Sequence, residues 1–295
     1  MTRNNVNSRH DGHQVSAEGT GIMATWLITG TSSGLGRALA EQALAAGGQV
    51  VATARDPQTI RDLEDAHPDT AAAVRLDVTD RTSIAAAVDT AQARFGDIDV
   101  LVNNAGYGYT AAIEEGEDDA VAELFATNFT GPVALINAVL PGMRSRGSGL
   151  IVNVSSVGVK LTLPGGGYYS AAKAALEAAS GALRKEVAAL GIHVMVVEPG
   201  SMRTDFRGRS ARRSEIRIGD YDEILGRTGE GRLGPQRGDP VKAARAILTA
   251  TTEPVPPALL LLGSDALTDY RTLTQAEQAD VDRHEPLTLS TDATT

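Results

Sequence analysis

Short apolar runs alternate with longer stretches of helical periodicity along this chain, and that alternation decides what it can fold into. Residues 25–29, 49–54, 72–76, 98–102, 150–154, 192–197 and 258–262 read as strands. Between and after them, 35–46, 82–95, 120–140, 168–190, 240–251 and 264–282 read as helices, with a further helix opening at Asp56-Pro57. Gly47-Gly48 closes the first of these helices, and Pro141-Gly142 is expected to end the one that starts at 120. Strands apolar on both faces, each followed by a helix, belong in a parallel sheet covered on both sides. Right-handed crossovers then give a doubly wound, Rossmann-type α/β fold. No shift in composition marks a second domain, and no solenoid repeat is present.

Ligands of such folds bind outside the carboxyl ends of the strands, and the unusual clusters of this sequence fall there. Thr29-Gly30-Thr31-Ser32-Ser33-Gly34-Leu35-Gly36 joins the first strand to the first helix. Glycines there let the backbone approach a pyrophosphate, and the positive end of the helix favours its charge. The spacing is Gly-x-x-x-Gly-x-Gly, not the commoner Gly-x-Gly-x-x-Gly. Asn103-Asn104-Ala105-Gly106 follows the fourth strand and suits either a turn or the wall of a cleft. Asn128 interrupts an apolar helix; it faces solvent, or is buried and needs hydrogen-bond partners. Ser155-Ser156 ends the fifth strand, where a hydroxyl serves a turn or donates to a substrate oxygen.

Tyr169 and Lys173 are four residues apart, so they share one side of a helix turn, about 40° apart, whereas Tyr168 stands about 140° from Lys173. An ammonium beside a phenol favours the phenolate and is expected to lower a pKa that is ordinarily about 10. That would make Tyr169 a general acid/base near neutral pH.

The formal net charge of −10 argues against a general nucleic-acid binder. The absence of cysteine removes disulfides, thiolate zinc sites and a cysteine nucleophile together, and fits a cytoplasmic protein. No apolar run approaches the roughly 18 to 20 residues of a membrane span, so no membrane partner is expected. Residues 1–22 are polar, lack the apolar core of a secretory signal and are expected to form a disordered tail, with Met23 a candidate start. The single domain is then expected over 23–283, followed by a loose tail over 284–295.

Taken together, the Gly30/Gly34/Gly36 turn, 103–106, Asn128, the serine, Tyr169-x-x-x-Lys173 and Pro199-Gly200 resemble the classical short-chain dehydrogenase/reductase family. The likeness runs from about residue 25 to 263, with five motifs in register. It implies hydride transfer between a nicotinamide cofactor and a carbonyl or alcohol. The family's serine lies thirteen residues before its tyrosine, which selects Ser156 over Ser155. The resemblance implies that Tyr169 exchanges a proton with the substrate oxygen, that Ser156 hydrogen-bonds the same atom, and that Lys173 binds the nicotinamide ribose and keeps the tyrosine pKa low. Asn128 would hold a water in a relay to Lys173. Gly30, Ser32, Ser33, Gly34, Leu35 and Gly36 would take the pyrophosphate. Asp77 and Val78 would flank the adenine. Asn103, Asn104, Ala105 and Gly106 would wall the cofactor, and Pro199, Gly200, Met202 and Thr204 would cover the nicotinamide. Ala172, where serine is common, and Leu35, where isoleucine is usual, are the departures, and no catalytic position is lost.

Cofactor choice rests on Ala54-Arg55 at the end of the second strand. A carboxylate there would bind both adenosine ribose hydroxyls and repel a 2′-phosphate. Alanine removes the repulsion and Arg55 can bind the phosphate, which points to NADP(H); alternatively Arg55 pairs with Asp56. Residues 201–238 are expected to form an irregular lid. Its arginines (Arg203, Arg207, Arg209, Arg212 and Arg213) are a solvated basic loop pairing with Glu215, Asp220 and Asp222, or a site for an anionic carrier group. Tyr107, Tyr109 and Leu163 either line a substrate pocket or pack in the core. The expectation is an NADP(H)-dependent oxidoreductase for a small, largely apolar carbonyl/alcohol pair, with no metal. It is expected to form a homodimer or homotetramer through the helices at 120–140 and 168–190. The alternatives are a 3-oxoacyl-carrier ketoreductase and an NADP(H)-sensing regulator without turnover.

Overall fold

The computed structural model describes residues 24–208, 210–227 and 236–293; the expected tail 1–22 and Met23 lie outside them. Its strands are β1 (Thr25–Thr29), β2 (Gln49–Ala54), β3 (Ala71–Arg75), β4 (Val100–Asn103), β5 (Gly108–Thr110), β6 (Gly149–Val154), β7 (Ile192–Pro199), β8 (Ala211–Arg213) and β9 (Leu259–Leu262). Its helices are α1 (Gly34–Ala45), α2 (Arg61–Ala66), α3 (Arg81–Phe95), α4 (Asp118–Phe125), α5 (Gly131–Arg146), α6 (Gly158–Leu161), α7 (Gly167–Val187), α8 (Pro240–Thr251), α9 (Ser264–Arg283) and α10 (Glu285–Leu289). A seven-stranded parallel sheet runs in the order β3-β2-β1-β4-β6-β7-β9, as the alternation of elements requires.

The strands read as near-continuous apolar runs because both sheet faces are buried. Val51, Leu27, Leu101, Ile151 and Val194 stand side by side in register and pack with residues of α3 and α5. Their neighbours Val50, Trp26, Val100 and Leu150 point to the other face, against α1 and α8. From β1 the chain builds outwards to β2 and β3 on one side and to β4, β6, β7 and β9 on the other. That reversal opens a crevice beyond the carboxyl ends of β1 and β4.

Three local expectations are corrected. The helix at 120–140 does not stop at Pro141: α4, a π-turn at Ala126–Thr130 and α5 run on to Arg146, with Pro141 inside. Val139 and Met143 are buried in the core on either side of that exposed proline, and Arg146 donates to Ile98 O at 2.8 Å, so packing outweighs one missing backbone bond. The helix ends at Gly147, whose φ of +70° suits a left-handed cap. Asp118–Arg146 is thus one helical stretch of 29 residues, long and apolar enough to cross a bilayer, against the expectation of no such run. Its apolar side (Leu124, Leu135, Val139, Met143) is buried within this protein. In the segment expected to be a loose tail, Glu285–Leu289 forms α10, with Pro286 in its first turn where a missing N–H costs nothing.

Candidate active site

The glycine turn and the loop after β4 are one unit. Gly30 and Gly34 hold φ of +70° and +62°, which only glycine adopts without strain. A Cβ on Gly30 would lie 2.9 Å from Ala105 Cα, and one on Gly36 would strike Asn104 Nδ2. Asn104 Nδ2 donates to Thr29 O at 2.9 Å and Gly30 O at 3.1 Å, while Thr29 Oγ1 accepts from the backbone of Asn104 and Ala105, each at 2.9 Å. α1 carries no acidic residue in its first turn and Ser33 makes no side-chain cap. The positive end of α1 therefore faces the cleft uncompensated, in a cradle that any Cβ would narrow, as a pyrophosphate requires. Asn103 is the exception in this loop. It is 2% exposed and turns away from the cleft to donate to Asn153 Oδ1 at 2.8 Å, which corrects its expected place on the wall.

A cleft of about 1320 Å³ extends from this cradle in both directions along the carboxyl edge. Ala54, Arg55, Asp77 and Val78 line one end; Ser156, Tyr169 and Lys173 line the other. Ser32, Leu35, Pro199, Gly200, Met202 and Thr204 border the length between. Gly36 and Asn128 stand behind the wall. Arg55 is exposed and forms no ion pair among the described residues; Asp56 instead caps the following turn, accepting from Gln58 N at 3.0 Å. Thr79 holds the Asp77 carboxyl below its ordinary range by donating both its hydroxyl and its backbone N–H.

Ser156 lies two residues past β6; its Oγ accepts from Gly158 N at 3.0 Å, and Ser156 and the Tyr169 ring stand together beside Gly158 at the cleft. Ser155 instead donates to Glu177 Oε1 at 2.5 Å, so the hydroxyl facing Tyr169 is that of Ser156. Tyr168 points elsewhere and donates to Ile113 O at 2.7 Å. Lys173, 4% exposed, donates to Val154 O at 2.8 Å. The expected lowering of the Tyr169 pKa by Lys173 is not found: burial pushes the phenol up to about 12, with the neighbouring Ser156 hydroxyl opposing. The ammonium is turned toward the Val154 carbonyl, and burial draws Lys173 itself down to about 8. Tyr169 is therefore a held proton rather than a phenolate. Asn128 is fully buried; its Nδ2 donates to Tyr107 O at 2.9 Å and its Oδ1 accepts from Tyr107 N at 3.1 Å. A Cβ on Gly106 would come within 2.9 Å of Asn128 Oδ1 and 3.3 Å of Lys173 Nζ, so this glycine lets the two approach.

The lid is more ordered than its sequence suggests. β8 pairs in parallel with β5, a strand of three residues that carries no legible periodicity. Phe206 places its ring 5.8 Å from that of Tyr169, and Arg212 lies 4.5 Å over the Tyr107 ring. Tyr107 and Leu163 line the cleft, whereas Tyr109, 3% exposed, packs in the core. Arg212 pairs with Glu123 at 2.5 Å and Arg203 with Asp239 at 3.5 Å, so these two lid arginines are engaged, though not with the acids expected. Arg207 and Arg209 lie outside what is described of the side chains.

Glu115, with no exposed surface, anchors this lid: it pairs with Arg227 at 2.5 Å and accepts from Ile218 N at 2.8 Å. Those bonds, led by Arg227, hold its carboxyl down to about 2. The anchor is complete above the ordinary carboxylate range and is lost only as pH falls toward that value. Glu115→Gln should lower the Tm at pH 7 and speed proteolytic cleavage within 201–227. Unchanged cleavage and Tm would show that Glu115 does not hold the lid.

A family model described as short chain dehydrogenase matches residues 24–215. The chain belongs to the short-chain dehydrogenase family. An oxidoreductase of Botryotinia fuckeliana, BOA17, is 39% identical over 82% of this chain and 89% of its own. The crystal structure of a short-chain dehydrogenase from Streptomyces avermitilis is 44% identical, with a TM-score of 0.85, covering 91% of this chain and all of that one. A 3-ketoacyl-(acyl-carrier-protein) reductase from Brucella melitensis, complexed with NADH, is 26% identical with a TM-score of 0.68, covering 81% of this chain and 95% of that one. Other structural neighbours hold NADP. This short-chain dehydrogenase is thus an oxidoreductase built for a nicotinamide cofactor, and its glycine cradle and cleft fit one.

Proposed function

We propose that this protein is an NADP(H)-dependent oxidoreductase that interconverts a carbonyl and an alcohol, with Tyr169 as the proton donor. The observation that carries this reading is the placement of Ser156 and Tyr169 together at the cleft, with the buried Lys173 one helix turn from Tyr169. In reduction Tyr169 gives its proton to the substrate oxygen while Ser156 donates a second hydrogen bond to the same atom. Lys173 offers an ammonium to the phenolate left behind and to the ribose hydroxyls. A bound nicotinamide dinucleotide would supply the hydride. Leu163 and Phe206 line the cleft while 48% and 37% exposed, which suits an apolar substrate that covers them.

The NADP(H) assignment is supported by Ala54 and Arg55. Ala54 presents no carboxylate to a 2′-phosphate, and Arg55 is free to bind one. NADPH should be preferred over NADH by at least about tenfold in kcat/KM, roughly 1.4 kcal/mol. Exchanging Ala54→Asp together with Arg55→Ile should move the preference toward NADH. Equal kcat/KM for the two cofactors in the parent enzyme, at one ionic strength, would overturn the assignment.

A further inference from the structure

Two carboxyl groups meet behind Lys173, and the reaction above leaves both unused. Tyr169, Lys173 and Glu177 follow at every fourth residue of α7, so they share the face that meets the ends of β6 and β7. Ser155, just past β6, donates to Glu177 Oε1 at 2.5 Å. Glu198, near the end of β7, is 2% exposed and follows Val197, which pairs with Val154 and accepts from Ser155 N at 2.7 Å, so the sheet brings its carboxyl beside that of Glu177. Glu198 Oε2 faces no donor. Two carboxylates have only acceptors to offer each other, so such a contact forms when one of them carries a proton. The charged groups around the pair are Lys173 from α7 and Lys160 from α6. Lys160 is itself held by Glu277 of α9 at 3.0 Å and lies 6.0 Å from the Tyr270 ring. One anion is matched here by the buried Lys173 ammonium; two carboxylates side by side would repel each other.

We propose that Glu177 and Glu198 share a single proton and are a positioning pair for Lys173, their one negative charge keeping its ammonium protonated beside Tyr169. This rests on the role given to Lys173 above. The titration behaviour agrees with the geometry. Burial, with the Glu177 charge added, pushes Glu198 up to about 7, and burial also raises Glu177 against the Ser155 hydrogen bond. Burial draws Lys173 down, and Glu177 is the charge that opposes this. Glu198 titrates higher in the fold than in the unfolded chain. Its contribution to stability is therefore complete at low pH and is lost as pH rises through about 7.

Infrared spectroscopy of the full chain reads the shared proton without any turnover. The wild type should show the carbonyl band of a protonated carboxylic acid at pH 6, lost by pH 9, and Glu198→Gln should remove it while Tyr169→Phe leaves it. The wild-type Tm should fall between pH 6 and 8 relative to that of Glu198→Gln. In Glu177→Gln the alkaline fall of kcat/KM should move to lower pH by about one unit, as expected when a nearby opposite charge is removed. A wild type with no protonated carboxyl at pH 6, a band that survives Glu198→Gln, or an unmoved alkaline limb overturns the proposal. Should either variant fail to fold, the wild-type band and its pH dependence still decide. Should Tyr169→Phe stay active while the band behaves as stated, it is the role of Tyr169 that fails, and the shared proton stands.

Discussion

Tyr169→Phe should lower turnover by about 10² or more. The substitution keeps the ring and its contact with Phe206 and removes only the hydroxyl. The phenol is pushed up to about 12, so it stays protonated across the neutral range and can give its proton to an oxygen that gains negative charge. NADPH affinity should hardly change, because the hydroxyl acts on the substrate. Near-normal turnover in the Phe variant would remove Tyr169 from the mechanism.

Lys173→Ala should weaken both turnover and NADPH binding. Lys173 spends one N–H on Val154 O, which fixes Nζ below the cleft and leaves the others for the ribose hydroxyls. Removing it deprives the cofactor of those donors and the departing proton of a nearby cation. The pH profile carries the same signature. Lys173 is drawn down to about 8, so reduction should hold at neutral pH and fall as pH rises past that value and the ammonium is lost. Unchanged NADPH affinity, measured by titration calorimetry, would show that Lys173 does not reach the ribose.

The frame of the fold is legible in the sequence because both sheet faces are buried. β1, β2 and α8 fall on the residues their apolar patterns mark, and most other elements lie within a residue or two. The passage through Pro141 was hidden because the reason for it is tertiary: Val139 and Met143 have somewhere to pack. The site divides in the same way. The glycine turn, Ser156, Tyr169 and Lys173 are local in sequence and converge on one cleft. The Tyr169 pKa was misread because helix spacing places Lys173 on the right face without showing that its ammonium turns to Val154 O. Asn103 was placed on the cleft wall because the strand end does not reveal which of two adjacent asparagines faces inward. Phe206 sits in a lid without periodicity, and nothing marks it. Glu177 carried a signal, its spacing of eight from Tyr169, but Glu198 pairs with it only through the adjacency of β6 and β7.

The most direct measurement is NADPH consumption against a panel of ketones and aldehydes, with the alcohol formed quantified beside it. An NADPH-dependent carbonyl reductase should oxidise one NADPH for each alcohol produced, fastest on apolar members of the panel. Tight NADPH binding with no consumption across the panel would contradict the account and mark the protein as a cofactor-binding regulator.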